Sequence, residues 1–179
     1  MTGGGTIFIY VDGSCIGNQN VDSETPAGWG LVIVEGDTGL GKGAGELVSE
    51  KSGAVITDPK DELYLGADVG SNNTGELTAF AHALRWILSQ ESVCEYVIRT
   101  DSTYAGNITD GTWKAKANLL LVSRVRNLWS EACGLHQVSW NHVRAHRGHR
   151  WNERADHLAA RAANREDPVP FSFWKPGMR

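Results

Sequence analysis

Two rhythms of hydrophobic and polar positions run along this chain, and the switches between them mark its elements. Thr6 to Val11 (TIFIYV) is a β-branched and aromatic run and reads as a strand. Ala27 to Val34 (AGWGLVIV) is a second. The turn signal Glu35-Gly36-Asp37-Thr38-Gly39 implies that the next strand pairs with it as a hairpin, somewhere within Gly43 to Ile56. Thr57 to Gly70 reads as an irregular connection. From Asn73 to Leu88 the rhythm changes. Leu77, Phe80, Ala81, Leu84, Ile87 and Leu88 recur three and four apart, the pattern of an amphipathic helix, with Asn72 or Asn73 as its cap. Glu95 to Thr100 is a strand, Ser102 to Ile108 a short helix and Ala117 to Ala132 a longer one. His136 to Val143 is the last strand and Trp151 to Arg165 an Ala-rich helix. The proline-containing tail from Asp167 is expected to be mostly irregular.

The order is three strands in a meander, a helix, a strand, two helices, a strand and a helix, which is an α/β arrangement. A right-handed crossover places the Glu95–Thr100 strand parallel to the first strand, with the Asn73–Leu88 helix covering one face. If the two strands are neighbours, Asp12 and Asp101 emerge side by side at their carboxyl ends. Open α/β sheets place ligands there.

Four acidic residues carry the candidate chemistry. Asp12 closes the first apolar run and opens Asp12-Gly13-Ser14-Cys15. Glu76 sits in Asn72-Asn73-Thr74-Gly75-Glu76-Leu77. Asp101 follows the fourth strand and Asp156 lies in Asn152-Glu153-Arg154-Ala155-Asp156. Each has an ordinary reading: Asp-Gly as a turn, Asp101-Ser102 as a helix cap, Glu76 as the third residue of a capping box, Asp156 in a helix's first turn complementing its dipole. Those readings do not account for convergence. Two carboxylates at adjacent strand ends, with two more on helices that pack beside them, repel unless cations neutralise them. Oxygen-only ligands suit Mg²⁺ or Mn²⁺ rather than Zn²⁺.

Composition sets bounds on this picture. The 179 residues are 41% hydrophobic and 21% charged, which suits one globular domain. No apolar stretch approaches the ~18 residues of a membrane span, and Met1 to Gly5 lacks the features of a secretory signal. Residues 1–5 read as a flexible leader. Cys15, Cys94 and Cys133 read as reduced thiols, so the expected location is intracellular, cytoplasmic or nuclear. The net charge of −4 excludes a strongly basic nucleic-acid binder. Two basic clusters stand out locally: Arg144, Arg147, Arg150 and Arg154, joined by His142, His146 and His149, and Lys114, Lys116, Arg124 and Arg126.

Taken in order, Asp12-Gly13-Ser14-Cys15-x-Gly17-Asn18, Asn72-Asn73-x-x-Glu76-Leu77, Thr100-Asp101-Ser102 and His146-x-Gly148-His149-x-x-Asn152-Glu153-x-x-Asp156 resemble the four motifs of type 1 ribonuclease H. The resemblance runs from about Ile7 to Ala163. It implies a five-stranded mixed β-sheet, three antiparallel strands then two parallel, flanked by helices. It also implies cleavage of the RNA strand of an RNA–DNA hybrid, leaving 5′-phosphate and 3′-hydroxyl ends. Asp12, Glu76, Asp101 and Asp156 are then catalytic metal ligands for two Mg²⁺ ions roughly 4 Å apart, with Mn²⁺ as a substitute and Asp12 bridging. His146 matches a catalytic histidine concerned with proton transfer or product release, and His149 a structural position. His142 reads as half-buried in the last strand. Asn18, Asn72 and Asn73 match positions that approach RNA, where an amide can both donate to and accept from a 2′-hydroxyl. Ser71 matches a position that holds a phosphate of the DNA strand.

Two departures from the family pattern follow. Gly111 to Asn118 runs almost directly into the long helix, so the family's basic protrusion is absent and hybrid binding is expected to be weaker unless the basic clusters compensate. Glu35–Gly70 is long for the family and has no assigned role. The domain reading is a catalytic domain over 6–166 and an irregular tail over 167–179, monomeric and not membrane-bound. The competing readings are another nuclease of the same fold, such as a transposase, integrase or exonuclease, a hybrid-binding module without catalysis, and a domain of a reverse transcriptase polyprotein. The Asn-Asn-x-x-Glu element argues against the first and the intact set of carboxylates against the second.

Overall fold

The computed structural model describes residues 5–92 and 94–178, so the leader, Gly5 apart, lies outside the described residues. The elements in chain order are β1 (Thr6–Cys15), β2 (Ala27–Glu35), β3 (Glu46–Ala54), α1 (Asn72–Leu88), β4 (Glu95–Thr100), α2 (Thr103–Thr109), α3 (Leu119–Leu135), β5 (Gln137–His142) and α4 (Arg150–Ala163). The strands form one sheet in the order β3-β2-β1-β4-β5. β1 and β3 each run antiparallel to β2, and β4 runs parallel to both β1 and β5, the expected three-plus-two arrangement.

Both faces of the central strands are covered. Ile7, Ile9 and Val11 of β1, with Leu31 and Ile33 of β2, pack against Leu77, Phe80 and Leu84 of α1 and Leu121 and Val125 of α3. Phe8, Tyr10, Val32 and Val34 point the other way, against Trp151, Ala155 and Leu158 of α4. Burial on both sides is why β1 reads as a continuous apolar run rather than an alternating one. It also puts α1 and α4 on opposite faces, with the sheet's carboxyl end between their N-terminal turns.

Several local details differ from the sequence reading. β1 does not stop at Val11. Its parallel pairing with β4 ends at Val11–Thr100, but the antiparallel ladder with β2 continues to Cys15–Ala27. Asp12 therefore lies within a strand, one residue beyond its last β4 partner. Asp and Gly are poor strand formers, and here the cross-strand ladder overrides that preference. The cap of α1 is Ser71, not an asparagine. The Ser71 hydroxyl accepts the Thr74 N–H and the Thr74 hydroxyl accepts the Ser71 N–H, which closes a capping box. Glu76 is thereby displaced from the capping position and free for other work. Because α4 begins at Arg150, Asp156 lies in its second turn rather than its first. His142, at the carboxyl end of the edge strand β5, is exposed, not half-buried. Residues 110–118 link α2 to α3 without a helix between them, in keeping with the missing protrusion.

Arg154 departs most from expectation. It is grouped by sequence with a basic cluster that could help hold the hybrid, but it is fully buried. Its Nε and Nη2 donate to the two oxygens of Glu50 on β3, at 2.8 and 2.6 Å, and its Nη1 donates to Val169 O at 2.8 Å. The guanidinium lies over the rings of Phe171 and Trp174, 5.5 and 5.4 Å from their centroids. His157 adds a second tie, accepting the Val169 N–H at 3.0 Å. The tail is mostly irregular, with one 3₁₀ turn at Phe171–Phe173, yet it is clamped onto α4.

Candidate active site

Two backbone contacts bring the carboxylates together, and each depends on glycine. On one face, a Cβ on Gly13 would lie 2.2 Å from the Glu76 nitrogen, and one on Gly75 would lie 2.6 Å from Gly28 O. No side chain fits, so α1 rests its first turns directly on β1 and β2, and Glu76 arrives beside Asp12. On the other face, Gly30 is the cross-strand partner of Asp12, and a Cβ there would lie 2.7 Å from Ala155 O. That approach seats α4 on β2 and delivers Asp156. Asp101 needs no such device. It follows Thr100, the parallel partner of Val11, so it leaves β4 alongside Asp12.

Carboxylate oxygens of Asp12, Glu76 and Asp101 lie within 4.8 Å of one another. Asp156 joins them in lining one open pocket, with Ser14, Asn72 and His146 at its walls. Asp12 and Glu76 are buried, while Asp101 and Asp156 are half-buried. Burial drives the Asp12 carboxyl well above the ordinary range, and the charges of Glu76, Asp101 and Asp156 add to it. Burial likewise pushes Glu76 up to about 8, and raises Asp101. Glu76 Oε2 is buried without a hydrogen-bond partner among the described residues. Neither Lys nor Arg is among the residues lining the pocket. An unpartnered buried carboxylate oxygen in an all-oxygen cluster fits a hard divalent cation.

A stability trend follows from these shifts. The unfolded chain releases the Glu76 proton near 4.5, the folded one near 8. Below about pH 4.5 both states hold the proton and nothing is lost. As pH rises toward 8 the unfolded state is increasingly favoured, and Asp12 and Asp101 act in the same direction. The metal-free protein is expected to melt at progressively lower temperature from about pH 5 to pH 8, a loss on the order of a few kcal/mol. Millimolar Mg²⁺ should restore much of it. Thermal melts with EDTA and with Mg²⁺ across this range check the trend; a metal-free melting temperature that rises with pH would contradict it.

The remaining expected site residues lie around this pocket. Asn18 Oδ1 accepts the Asn72 N–H at 3.1 Å, which ties the loop after β1 to the first turn of α1. Asn18, Asn72 and Asn73 are exposed, and Ser71 is buried as the cap behind them. His146 is exposed at the pocket wall with a left-handed backbone (φ 55°), on the loop between β5 and α4. His149 is buried and caps α4. Asn152 is the residue that sequence reasoning passed over. It is buried, and its side chain lies against Asp101 and favours the charged carboxylate. Its place immediately before Glu-x-x-Asp carried no sign of that contact; only the position of α4 makes it. Of the basic groups, Arg124 and Arg126 are engaged with Tyr64 O, Ile108 O and Trp113 O, while Lys114, Lys116, Arg144 and Arg147 are exposed.

Fold and cluster together define a class: an α/β nuclease that gathers carboxylates at the carboxyl ends of its central strands. Comparison with known proteins agrees. The RNase H family model matches residues 5–164. The chain is 35% identical to a ribonuclease H of Anaplasma marginale, an alignment covering 95% of this chain and 98% of that one. It is 34% identical to a ribonuclease HI of Neisseria meningitidis, over 88% of this chain and 95% of the relative. The crystal structure of RNase H1 from the halophilic archaeon Halobacterium salinarum superposes with a TM-score of 0.62 at 26% identity, covering 90% and 99% of the two chains. The chain belongs to the ribonuclease H family.

Proposed function

We propose that the carboxylate pocket is the centre at which this ribonuclease H hydrolyses the RNA strand of RNA–DNA hybrids, with Asp12, Glu76, Asp101 and Asp156 holding two divalent cations. Family membership makes the chain a hydrolase acting on such hybrids. The observation that carries the assignment to these residues is the convergence of four carboxylates on one pocket, with Glu76 Oε2 buried and unpaired.

The proposed ions are Mg²⁺, with Mn²⁺ able to replace it. When bound they supply an activated water and a counter-charge at the reacting phosphate. The residues' part is preparation. Asp12, the most buried of the four, faces the other three, and burial with their charges raises its affinity for a positive charge. Asn152 favours the charged form of Asp101, against the stronger upward pull of burial. His146 stands at the pocket wall in contact with solvent, and an imidazole can both take and give a proton, so it is placed to pass a proton between water and the departing 3′ oxygen. Asn18 and Asn72, already joined by a hydrogen bond, and Asn73 beside them present amides to the 2′-hydroxyls of the RNA strand. Ser71, at the N-terminus of α1, serves a phosphate of the DNA strand.

The catalytic unit we infer is residues 6–166, braced by the tail. Among the described residues no helix is long and apolar enough to cross a membrane. The unpaired thiols of Cys15, Cys94 and Cys133 fit a reducing, intracellular compartment.

The test is cleavage of a labelled RNA–DNA hybrid with Mg²⁺ or Mn²⁺, beside single-stranded RNA, duplex RNA and duplex DNA, with EDTA as control. The expected result is cutting of the hybrid's RNA strand alone, lost with EDTA. Hybrid binding without cleavage would point instead to a binding module, and cutting of duplex DNA would place the chain's activity elsewhere among nucleases of this fold.

A further inference from the structure

We propose that Tyr10 and Asp37 are positioning residues for the active site, holding the His146 loop and the first turn of α4 in place through His149. The inference rests on the reading of the carboxylate pocket as the active centre.

The His146 loop hangs between two anchors. At one end the Val143 N–H donates to Thr100 O at 2.8 Å. At the other is buried His149, and residues 144–148 between them are exposed. His149 Nδ1 accepts the Asn152 N–H at 3.4 Å, which caps α4. A neutral imidazole accepting at Nδ1 carries its proton on Nε2, and Nε2 lies 3.4 Å from Tyr10 Oη. The Tyr10 hydroxyl donates to Asp37 Oδ2 and accepts from Arg99 Nη1 at 3.1 Å, and Arg99 Nε donates to Asn141 Oδ1 at 2.8 Å. Burial pushes the His149 pKa down and the Tyr10 pKa up, which favours the neutral form of each.

This line of contacts reaches the reacting groups. The capped residue, Asn152, is the one whose side chain lies against Asp101. The β2–β3 loop that carries Asp37 then runs on to α4: the Arg150 N–H donates to Lys42 O at 2.9 Å and Trp151 Nε1 to Ala44 O at 2.8 Å. The loop so employed lies in the Glu35–Gly70 stretch.

Sheet packing does not explain the hydroxyl. The Tyr10 ring sits in the α4-side core with Phe8, Val32 and Val34, where a phenylalanine would pack as well. A buried hydroxyl costs free energy unless it is hydrogen-bonded, and one buried oxygen here meets a carboxylate, a guanidinium and an imidazole. Such a convergence fixes the imidazole's orientation, and with it the loop end and the helix cap.

The test uses the full chain and three variants, with Asp12→Asn as the inactive control. Tyr10→Phe removes the hydroxyl. His149→Asn keeps an N-cap acceptor for Asn152 but breaks the tie to Tyr10. The third variant combines them. Each single change is expected to lower kcat about tenfold with KM within about twofold, and the double change to be no worse than either single one. Adding His146→Ala should cost less in the Tyr10→Phe background than in the wild type. In metal-free protein, hydrogen exchange at the Asn152 amide should speed up in Tyr10→Phe. A wild-type kcat in Tyr10→Phe well below its melting temperature, whatever the change in melting, would overturn the proposal. So would strictly multiplicative losses in the double variant. If the wild-type chain cuts no hybrid, the active-site reading fails separately, and exchange at Asn152 still decides whether Tyr10 holds the first turn of α4.

Discussion

Asp12→Asn is expected to abolish hybrid cleavage, a loss of at least about 10³-fold, while the metal-free protein melts higher than the wild type. Both effects have one origin. Asp12 lies in the β1–β2 ladder with Glu76, Asp101 and Asp156 around it, and only 3% of its surface reaches solvent. Burial and the three neighbouring charges all resist its ionisation. Asparagine has nearly the same shape and no charge to desolvate, so the folded state gains on the order of 1–3 kcal/mol when no cation is present. For a chain of this size that raises the melting temperature by roughly 2–12 °C. The same substitution removes the charge and one oxygen ligand from the centre of the cluster. Hybrid cleavage assays and thermal melts in EDTA measure the pair of effects. Near-wild-type turnover would refute the metal-site assignment, and a lower metal-free melting temperature would refute the electrostatic account of the cluster.

Arg154→Ala should be the most damaging single change to stability, costing about 3–5 kcal/mol. Arg154 is fully buried and makes five contacts that no other residue replaces: two hydrogen bonds to Glu50, one to Val169 O, and the faces of Phe171 and Trp174. Alanine removes the packed stem and the charge together. It leaves Glu50 with no counter-charge on a carboxylate whose side chain is only 23% exposed. The tail then loses its strongest hold on α4, leaving the His157 bond to Val169 and the ring contacts of Phe171 with Trp151 and of Trp174 with His157. Since Asp156 lies between Arg154 and His157, activity well below the melting temperature should fall as well. Arg154→Met, which keeps most of the volume, should lose less. Denaturant unfolding followed by tryptophan fluorescence reads the effect. An unchanged midpoint would mean that the clamp carries no net stability, as some buried ion pairs do not.

Much of the site was legible because its logic is local. The meander, the crossover to β4 and the amphipathic stripe of α1 are periodicities in sequence, and the strand register follows from burying those stripes. Given parallel neighbours β1 and β4, the adjacency of Asp12 and Asp101 is a consequence. The cap of α1 was misplaced because Ser71, Asn72 and Asn73 are all good caps by type. Only the hydrogen bonds of Ser71 with Thr74 decide among them. His142 and Arg154 were misjudged for a different reason. Burial of a polar side chain is a property of what packs on it, and the packing partners lie far away in the chain.

The sequence by itself determined which residues bear charge, which runs become strands and helices, and which four carboxylates head for the same end of the sheet. Those are consequences of side-chain chemistry and short-range spacing. Tertiary structure alone decided how close they come. Gly13 against Gly75, and Gly30 against α4, are contacts between segments distant in sequence, and they matter for the side chain they lack. Tertiary structure also decided that Arg154 is an internal clamp, that the tail braces α4, and that a tyrosine in β1 reaches the cap of the helix carrying Asp156. Each of these depends on a distance across the fold, which no spacing along the chain encodes.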